Sequence, residues 1–544
     1  MRRPGARAVV SLLLAFVLTG CAHGLFGSSL KSKVSNRLEQ RFAASAFPEG
    51  VILKDELARQ YRAIVYTPVW MASGGIGEQA QELLRALETA PGEGFRIEDY
   101  HVAEMQKLLA EARSLTPEQV ESDGAIDRFA TLEMMLSDAF ILYERDLFKG
   151  RVDPRVGDPE WFVKDGKLDL ISQSLISLER EGSPTPILRE VTLESRAYIK
   201  LKEMLARYQA IAQAGGWPVI HGWSARHRRP KVRPGERDDV RVPMLRKRLA
   251  ITGDFVVAEP PALASSGRVP AEIVGPPSND DGLMDSQLVK GLQNFQIRHG
   301  LEPDGVLGGE TLSELNVPVD RRLHQIEANL ERLRWLPRPL GSRYIMVNIT
   351  DFSLQVFEKD QQRVTMKVVV GQEARRTPSF SSPLRKMVIN PNWFVPHKLA
   401  SKDLLPLFKR DPESLVRKGF RVFQRKRGGM QLLDPLKIDW AKVTEEKFPY
   451  EVIQSPGPYN SLGEIKFMPP NPFAIYLHGT PRKELFKKRV RAASSGCIRI
   501  EDPIDLAEYV MKGDDDWNRD ALIKEILHGT NQSVKLPKKI PLYL

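Results

Sequence analysis

Near residue 340 the hydrophobic pattern of this 544-residue chain changes its period, which divides it into a helical part and a β-rich part. From about Leu30 to Gly215 apolar residues recur at helical steps. The clearest stripe is Phe129, Leu132, Leu136, Phe140, Tyr143 and Leu147. That helix is expected to stop at Lys149-Gly150-Arg151-Val152-Asp153-Pro154, a glycine followed by a proline. No titratable cluster is visible there, so residues 30–227 read as a helical scaffold. Gln325 to Leu336 reads as a linking helix within 319–340, ended by Pro337 and Pro339. Beyond it, Tyr344 to Ile349, Ser353 to Phe357 and Val364 to Val370 are short β-branched or aromatic runs between turn residues. They predict a β-rich domain over 341–513, followed by a C-terminal segment over 514–544. The charged, helix-like stretch Lys402 to Arg427 interrupts the pattern, as a flap inserted at about 399–450 would.

At roughly 100–200 residues per domain, the length implies three or four domains. A hydrophobic content of 42% and a charged content of 27% exclude wholesale disorder and a polytopic membrane protein. The net charge of +11 invites a nucleic-acid reading. The basic residues are scattered among acids, however, with no aromatic-interleaved stripe, so no nucleic-acid partner is expected. An anionic wall or membrane surface accounts for the charge equally well.

The chain opens on a basic region, Met1 to Arg7, and an apolar run, Ala8 to Leu18, too short to span a bilayer. This reads as a secretory signal over 1–20. It ends in Leu18-Thr19-Gly20-Cys21, which resembles the lipobox of bacterial lipoproteins. The resemblance implies cleavage before Cys21 and a lipid anchor on it, hence a membrane partner. Ala22 resembles outer-membrane sorting in Gram-negative cells, which places the protein in the periplasm. With Cys21 lipidated, Cys497 has no intramolecular partner, and a lone thiol in an oxidising compartment calls for a function.

Arg228 to Pro243, rich in Arg, Pro and Gly, reads as a linker. A small helical module follows over 240–318. Met244 to Leu249 begins it, Leu288 to Gly300 supplies Phe295 and Gln296, and Pro303-Asp304-Gly305 turns into Gly308-Gly309-Glu310-Thr311-Leu312. This is similar to the peptidoglycan-binding module of wall hydrolases, here with a Pro/Ala/Ser/Gly-rich insertion over Ala258 to Asn279. A three-helix spacer explains the same pattern, because fold does not fix function.

Two strand-like segments carry the chemistry: Ile475-Tyr476-Leu477-His478-Gly479-Thr480 and Ala493-Ser494-Ser495-Gly496-Cys497-Ile498-Arg499-Ile500. Side chains alternate along a strand, so Tyr476 and His478 share one face, as do Cys497 and Arg499, while Ile475, Leu477, Ile498 and Ile500 point into a core. A thiol attacks as thiolate, and an adjacent imidazole lowers its pKa by forming an ion pair. Gly496 lets backbone approach a substrate closely, and the Cys497 N–H is a candidate oxyanion donor. Arg499 supplies a charge for the thiolate or for a substrate carboxylate.

At these residues the chain resembles the YkuD-type L,D-transpeptidases, whose signature is a strand histidine followed by Ser-x-Gly-Cys-x-Arg. Asn390 to Pro396, Ser455 to Gly463 and Lys466-Phe467 extend the likeness to the subgroup with a helical scaffold, a binding module and a flap. The fold implied is multidomain α+β: an N-terminal helical scaffold, a small three-helix peptidoglycan-binding-like module, and a β-rich catalytic domain with an inserted flap.

The activity implied is acyl transfer without metal or cofactor. Cys497 takes the diaminopimelate carbonyl of a tetrapeptide stem, D-alanine leaves, and His478 activates an acceptor amine to give a 3→3 cross-link. Water as acceptor gives a carboxypeptidase, and carbapenems are expected to acylate the thiol. Tyr476, Ser494, Ser495 and Trp393 are the further cleft candidates. Ser495 stands where many members carry a histidine, and His478 is expected to be oriented by a backbone carbonyl, that of Gly479. Two other readings are an inactive peptidoglycan-tethering lipoprotein and a zinc hydrolase using His397, His478 and Cys497. The second lacks the usual ligand spacings.

Overall fold

The structure, a computed structural model, describes residues 29–72, 74–164, 171–221, 231–255 and 281–544. The expected signal segment, Cys21 and the insertion Ala258 to Asn279 lie outside the described residues. In their described parts the residues form two compact units. One comprises Met1–Glu88, Ile97–Leu142 and Ile171–Ile187; the other comprises Thr89–Arg96, Tyr143–Leu170 and Leu188–Leu544. The boundary therefore does not follow the scaffold limits drawn from sequence.

The first unit is helical, and the helix Asp123–Lys149 supplies its centre before running on into the second. Its stripe from Phe129 to Leu147 is buried, but so is much of the opposite face, including Glu133, Ser137 and Asp138. The expectation of no titratable cluster here is corrected. Glu133 Oε1 accepts from the Tyr61 hydroxyl at 3.2 Å and from the backbone N–H groups of Val69 and Trp70. Ser137 Oγ accepts from the Trp70 indole at 2.8 Å and lies 2.7 Å from the Tyr61 hydroxyl. Burial raises the Glu133 carboxyl to about 7 against these bonds. Tyr61, Val69 and Trp70 lie more than 60 positions from Glu133 and Ser137 in sequence, which is why periodicity does not reveal the cluster.

In the second unit, the helices Arg241–Ile251, Ser286–Arg298 and Gly309–Leu315 pack around Leu245, Leu249, Leu288, Leu292 and Phe295. Gln296 is fully buried. Its amide donates to Asp304 Oδ1 at 2.9 Å and Thr311 Oγ1 at 3.2 Å, and its carbonyl accepts from Gly305 N at 2.9 Å. The Phe-Gln, Asp-Gly and Gly-x-x-Thr signals thus form one internal network that fixes the loop. The stretch read as a linker is partly taken into this module, where Val232 pairs with Leu307 and Arg237 with Leu283. A linking helix follows at Val319–Arg334.

The β-rich part is one sheet in the order 465–467, 477–478, 498–500, 361–371, 353–358, 343–348, 532–543, 379–389, 161–162. The strand Ile465–Phe467 also pairs with Ser379–Ile389, which closes the sheet on itself. Its interior holds Ile345, Val347, Leu354, Val368, Ile389, Leu477, Ile498 and Leu542, among others. The strand Trp161–Phe162 joins it from within the stretch read as scaffold, and the strand Gln532–Tyr543 seats Leu542, Tyr543 and Leu544 in buried positions.

Between the paired residues Ile389 and Ile465 the chain leaves to build a separate subdomain. The strands Trp393–Val395, Phe420–Lys426, Gly429–Leu433 and Tyr450–Gln454 form its own four-stranded sheet, over a core that includes Phe408, Val422, Trp440 and Val452. The charged stretch read as helix-like is helical only as far as Arg417, and then becomes strand.

Candidate active site

The strand Leu477–His478 is flanked on both sides. Antiparallel to it, Lys466 stands opposite His478 and Phe467 opposite Leu477; parallel to it, Leu477 pairs with Ile498 and His478 with Arg499. Leu477, Ile498, Ile500, Ile465 and Phe467 fill the interior, so alternation turns His478, Arg499 and Lys466 to the other face. Tyr476 and Cys497 precede the paired strands, and Ile498 N donates to Tyr476 O at 3.1 Å.

His478 is 5% exposed, and its Nδ1 lies 2.5 Å from the Gly479 carbonyl. Burial and the charges of Arg499 and Lys466 pull the imidazole down to about 3, against its backbone bonds to Gly479 and Leu462. It is therefore neutral over the physiological range. This changes the electrostatic expectation, since the histidine is not the standing cationic partner of a thiolate. Burial pushes the Cys497 thiol up; the N–H and hydroxyl of Tyr476, then Lys466 and Arg499, oppose that rise. The Trp393 indole faces the Tyr476 hydroxyl and donates toward it.

The loop before Cys497 is tightly held. Gly496 has φ +111°, a conformation that disfavours any L side chain. Its N–H donates to Ser494 Oγ at 3.1 Å, and its carbonyl accepts from Thr377 Oγ1 at 2.7 Å. Thr377 Oγ1 in turn accepts from Gly371 N at 2.9 Å. The Gly496 N–H is thus committed within the loop. Ser494 is 4% exposed and donates to the Cys497 carbonyl at 2.6 Å, so its hydroxyl shapes the loop and does not line a cleft.

Ser495 Oγ accepts from Arg375 at 2.9 Å, and Arg375 pairs with Asp403 of the inserted subdomain at 2.7 Å. Nε and Nη1 of Arg499 are buried and have no hydrogen-bond partner among the described residues. His397, weighed as a zinc ligand, lies in the inserted subdomain with its Nε2 2.9 Å from the Phe448 carbonyl.

Sequence reading missed Thr377, Arg375, Asp403 and the chemical place of Lys466. The only local signal was for Lys466, a charge flanked by two core residues in Ile465-Lys466-Phe467. The segment 455–463 owes its place to Asn460, which donates to Pro391 O and Ser455 O, and to Gln454, which donates to Lys418 O and Tyr459 O. That loop ends at Gly463, where an added Cβ would stand 2.6 Å from the Gly479 carbonyl carbon.

Residues 342–522 match the YkuD family, described as "L,D-transpeptidase catalytic domain". Residues 55–205 match a "Scaffold domain", and residues 267–315 a "Putative peptidoglycan binding domain". A protein of Haemophilus influenzae named "Putative L,D-transpeptidase" is 37% identical over 188 residues, covering 35% of this chain and 37% of its own length. The chain thus spans little more than a third of the relative it matches. Residues 342–522 are a YkuD-type L,D-transpeptidase catalytic domain, in a chain that also carries a scaffold domain and a peptidoglycan-binding domain.

Proposed function

We propose that the protein is a peptidoglycan L,D-transpeptidase in which Cys497 is the nucleophile and His478 the proton carrier. The observation that carries this reading is the paired register of His478 and Arg499 on adjacent parallel strands, with Tyr476 and Cys497 side by side at their starts. In the donor step Cys497 Sγ bonds to the carbonyl carbon of the third stem residue, diaminopimelate. The bond to D-alanine breaks, and the thiol proton passes through His478 to the departing amine. A thioester remains. An amine of a second stem then attacks the thioester carbonyl, its proton passes through His478 to the departing sulfur, and a 3→3 cross-link forms.

Because the imidazole is weakly basic, it relays the proton and does not hold it as a standing cation. The Cys497 N–H faces the developing oxyanion, and the free donors of Arg499 fit a carboxylate of the stem. Carbapenems would acylate the same thiol. The reading extends to a periplasmic lipoprotein anchored through Cys21, with peptidoglycan as partner.

The test is mass spectrometry of muropeptides after incubation with tetrapeptide monomers and dimers, beside Cys497→Ala. Tripeptide-linked dimers formed only by the intact thiol are the expected result. Tripeptide monomers alone would make water the acceptor, and unchanged muropeptides would leave a tethering protein.

A further inference from the structure

The mechanism leaves one charge unassigned. Lys466 is the central residue of a three-residue strand whose other members, Ile465 and Phe467, are fully buried in the sheet interior. Alternation therefore turns its side chain to the face that carries His478, its register partner. Its Nζ lies 4.4 Å from the centroid of the Tyr476 ring, and no ion pair or hydrogen bond holds it among the described residues. Tyr476 in turn directs its hydroxyl toward Cys497. Seating a lysine over an aromatic ring fixes an ammonium without neutralising it, because the ring faces it with a quadrupole and not a charge. An ion pair with a carboxylate would have cancelled its field.

The groups around the thiol are Tyr476, Lys466 from 465–467 and Arg499 from 498–500, with Lys386, Arg482 and Glu484 beyond, and His478 stands in register between Lys466 and Arg499. His478 carries no charge in the working range. We propose that Lys466, held over the Tyr476 ring, carries the positive charge that balances the Cys497 sulfur as it turns anionic, a role usually given to the histidine. Arg499, whose buried Nε and Nη1 lack a partner among the described residues, is left to bind substrate. The inference rests on Cys497 being the nucleophile; in chemical terms it assigns proton transfer and charge balance to different residues.

The experiment is the pH dependence of iodoacetamide alkylation at Cys497 in the full chain, a reaction that needs no peptidoglycan. Lys466→Met is expected to raise the apparent thiol pKa by about one unit and slow alkylation at neutral pH roughly tenfold. Lys466→Arg is expected to restore most of it, and His478→Gln to leave it within about 0.3 unit. Lys466→Gln, which keeps a polar side chain at the strand position, repeats the reading should the methionine variant fold poorly. An unchanged pKa in the neutral Lys466 variants overturns the proposal, as does a His478→Gln shift as large as theirs. Absent cross-linking with a normal titration would instead overturn the transpeptidase reading alone.

Discussion

At the residue scale, the loop that presents Cys497 depends on a backbone conformation more than on any side chain. Gly496, at φ +111°, aims its carbonyl at Thr377 and its N–H at Ser494. An alanine there would press on the tip of Ile475, 3.1 Å from the new Cβ, and the unfavourable φ adds about 1–3 kcal/mol of strain. Gly496→Ala is therefore expected to lower stability by about that amount and cross-linking by more than tenfold, read by thermal melting and muropeptide turnover. His478 and Arg499 were legible in the sequence because each sits in a short strand with strict alternation, and Cys497 because it stands one residue before such a strand. Lys466 was not, since a lone lysine in a strand reads equally well as a solvated face. The protonation state of His478 was not legible either: it follows from burial and from two cations brought in by neighbouring strands.

Elements were legible where one stripe of apolar residues decides their fate, as in Asp123–Lys149, and illegible where tertiary pairing decides. Phe420–Lys426 and Gly429–Leu433 are rich in charge and glycine, yet they form a hairpin because Tyr450–Gln454 and the buried Val422 recruit the first of them. The Glu133 network belongs to this scale too, because it stitches the central helix to the segments carrying Tyr61, Val69 and Trp70. Folding raises the Glu133 carboxyl from 4.5 to about 7, so between those values the folded state binds a proton that the unfolded state has lost. The resulting stabilisation is complete below pH 4.5 and fades as pH rises through 7, at most roughly 3 kcal/mol. Denaturant titrations of the wild type across this window should show it. Glu133→Gln is expected to flatten the pH dependence, and an unaltered slope would show that the carboxyl is already ionised.

For the whole molecule, the succession of helical, module and β-rich regions was legible from period and turn chemistry. The partition into units was not. Residues 143–164 contribute Trp161–Phe162 to the catalytic sheet from far upstream, a pairing that no local pattern announces. The inserted subdomain is the opposite case. It leaves after Ile389 and returns at Ile465, which are register partners, and Asn390 N donates to Glu464 O at 2.8 Å across its neck. Replacing 391–463 with an Asn-Gly turn should leave the closed sheet folded, with one cooperative melt by circular dichroism, while muropeptide turnover is lost with the segment that packs on Gly479. Loss of folding would show that the subdomain is integral to the sheet. A neck one residue pair wide makes the subdomain a cassette: ancestors could have acquired, exchanged or reshaped it without disturbing a single strand register. Length and sequence can then vary there while the closed sheet beneath keeps its pairing.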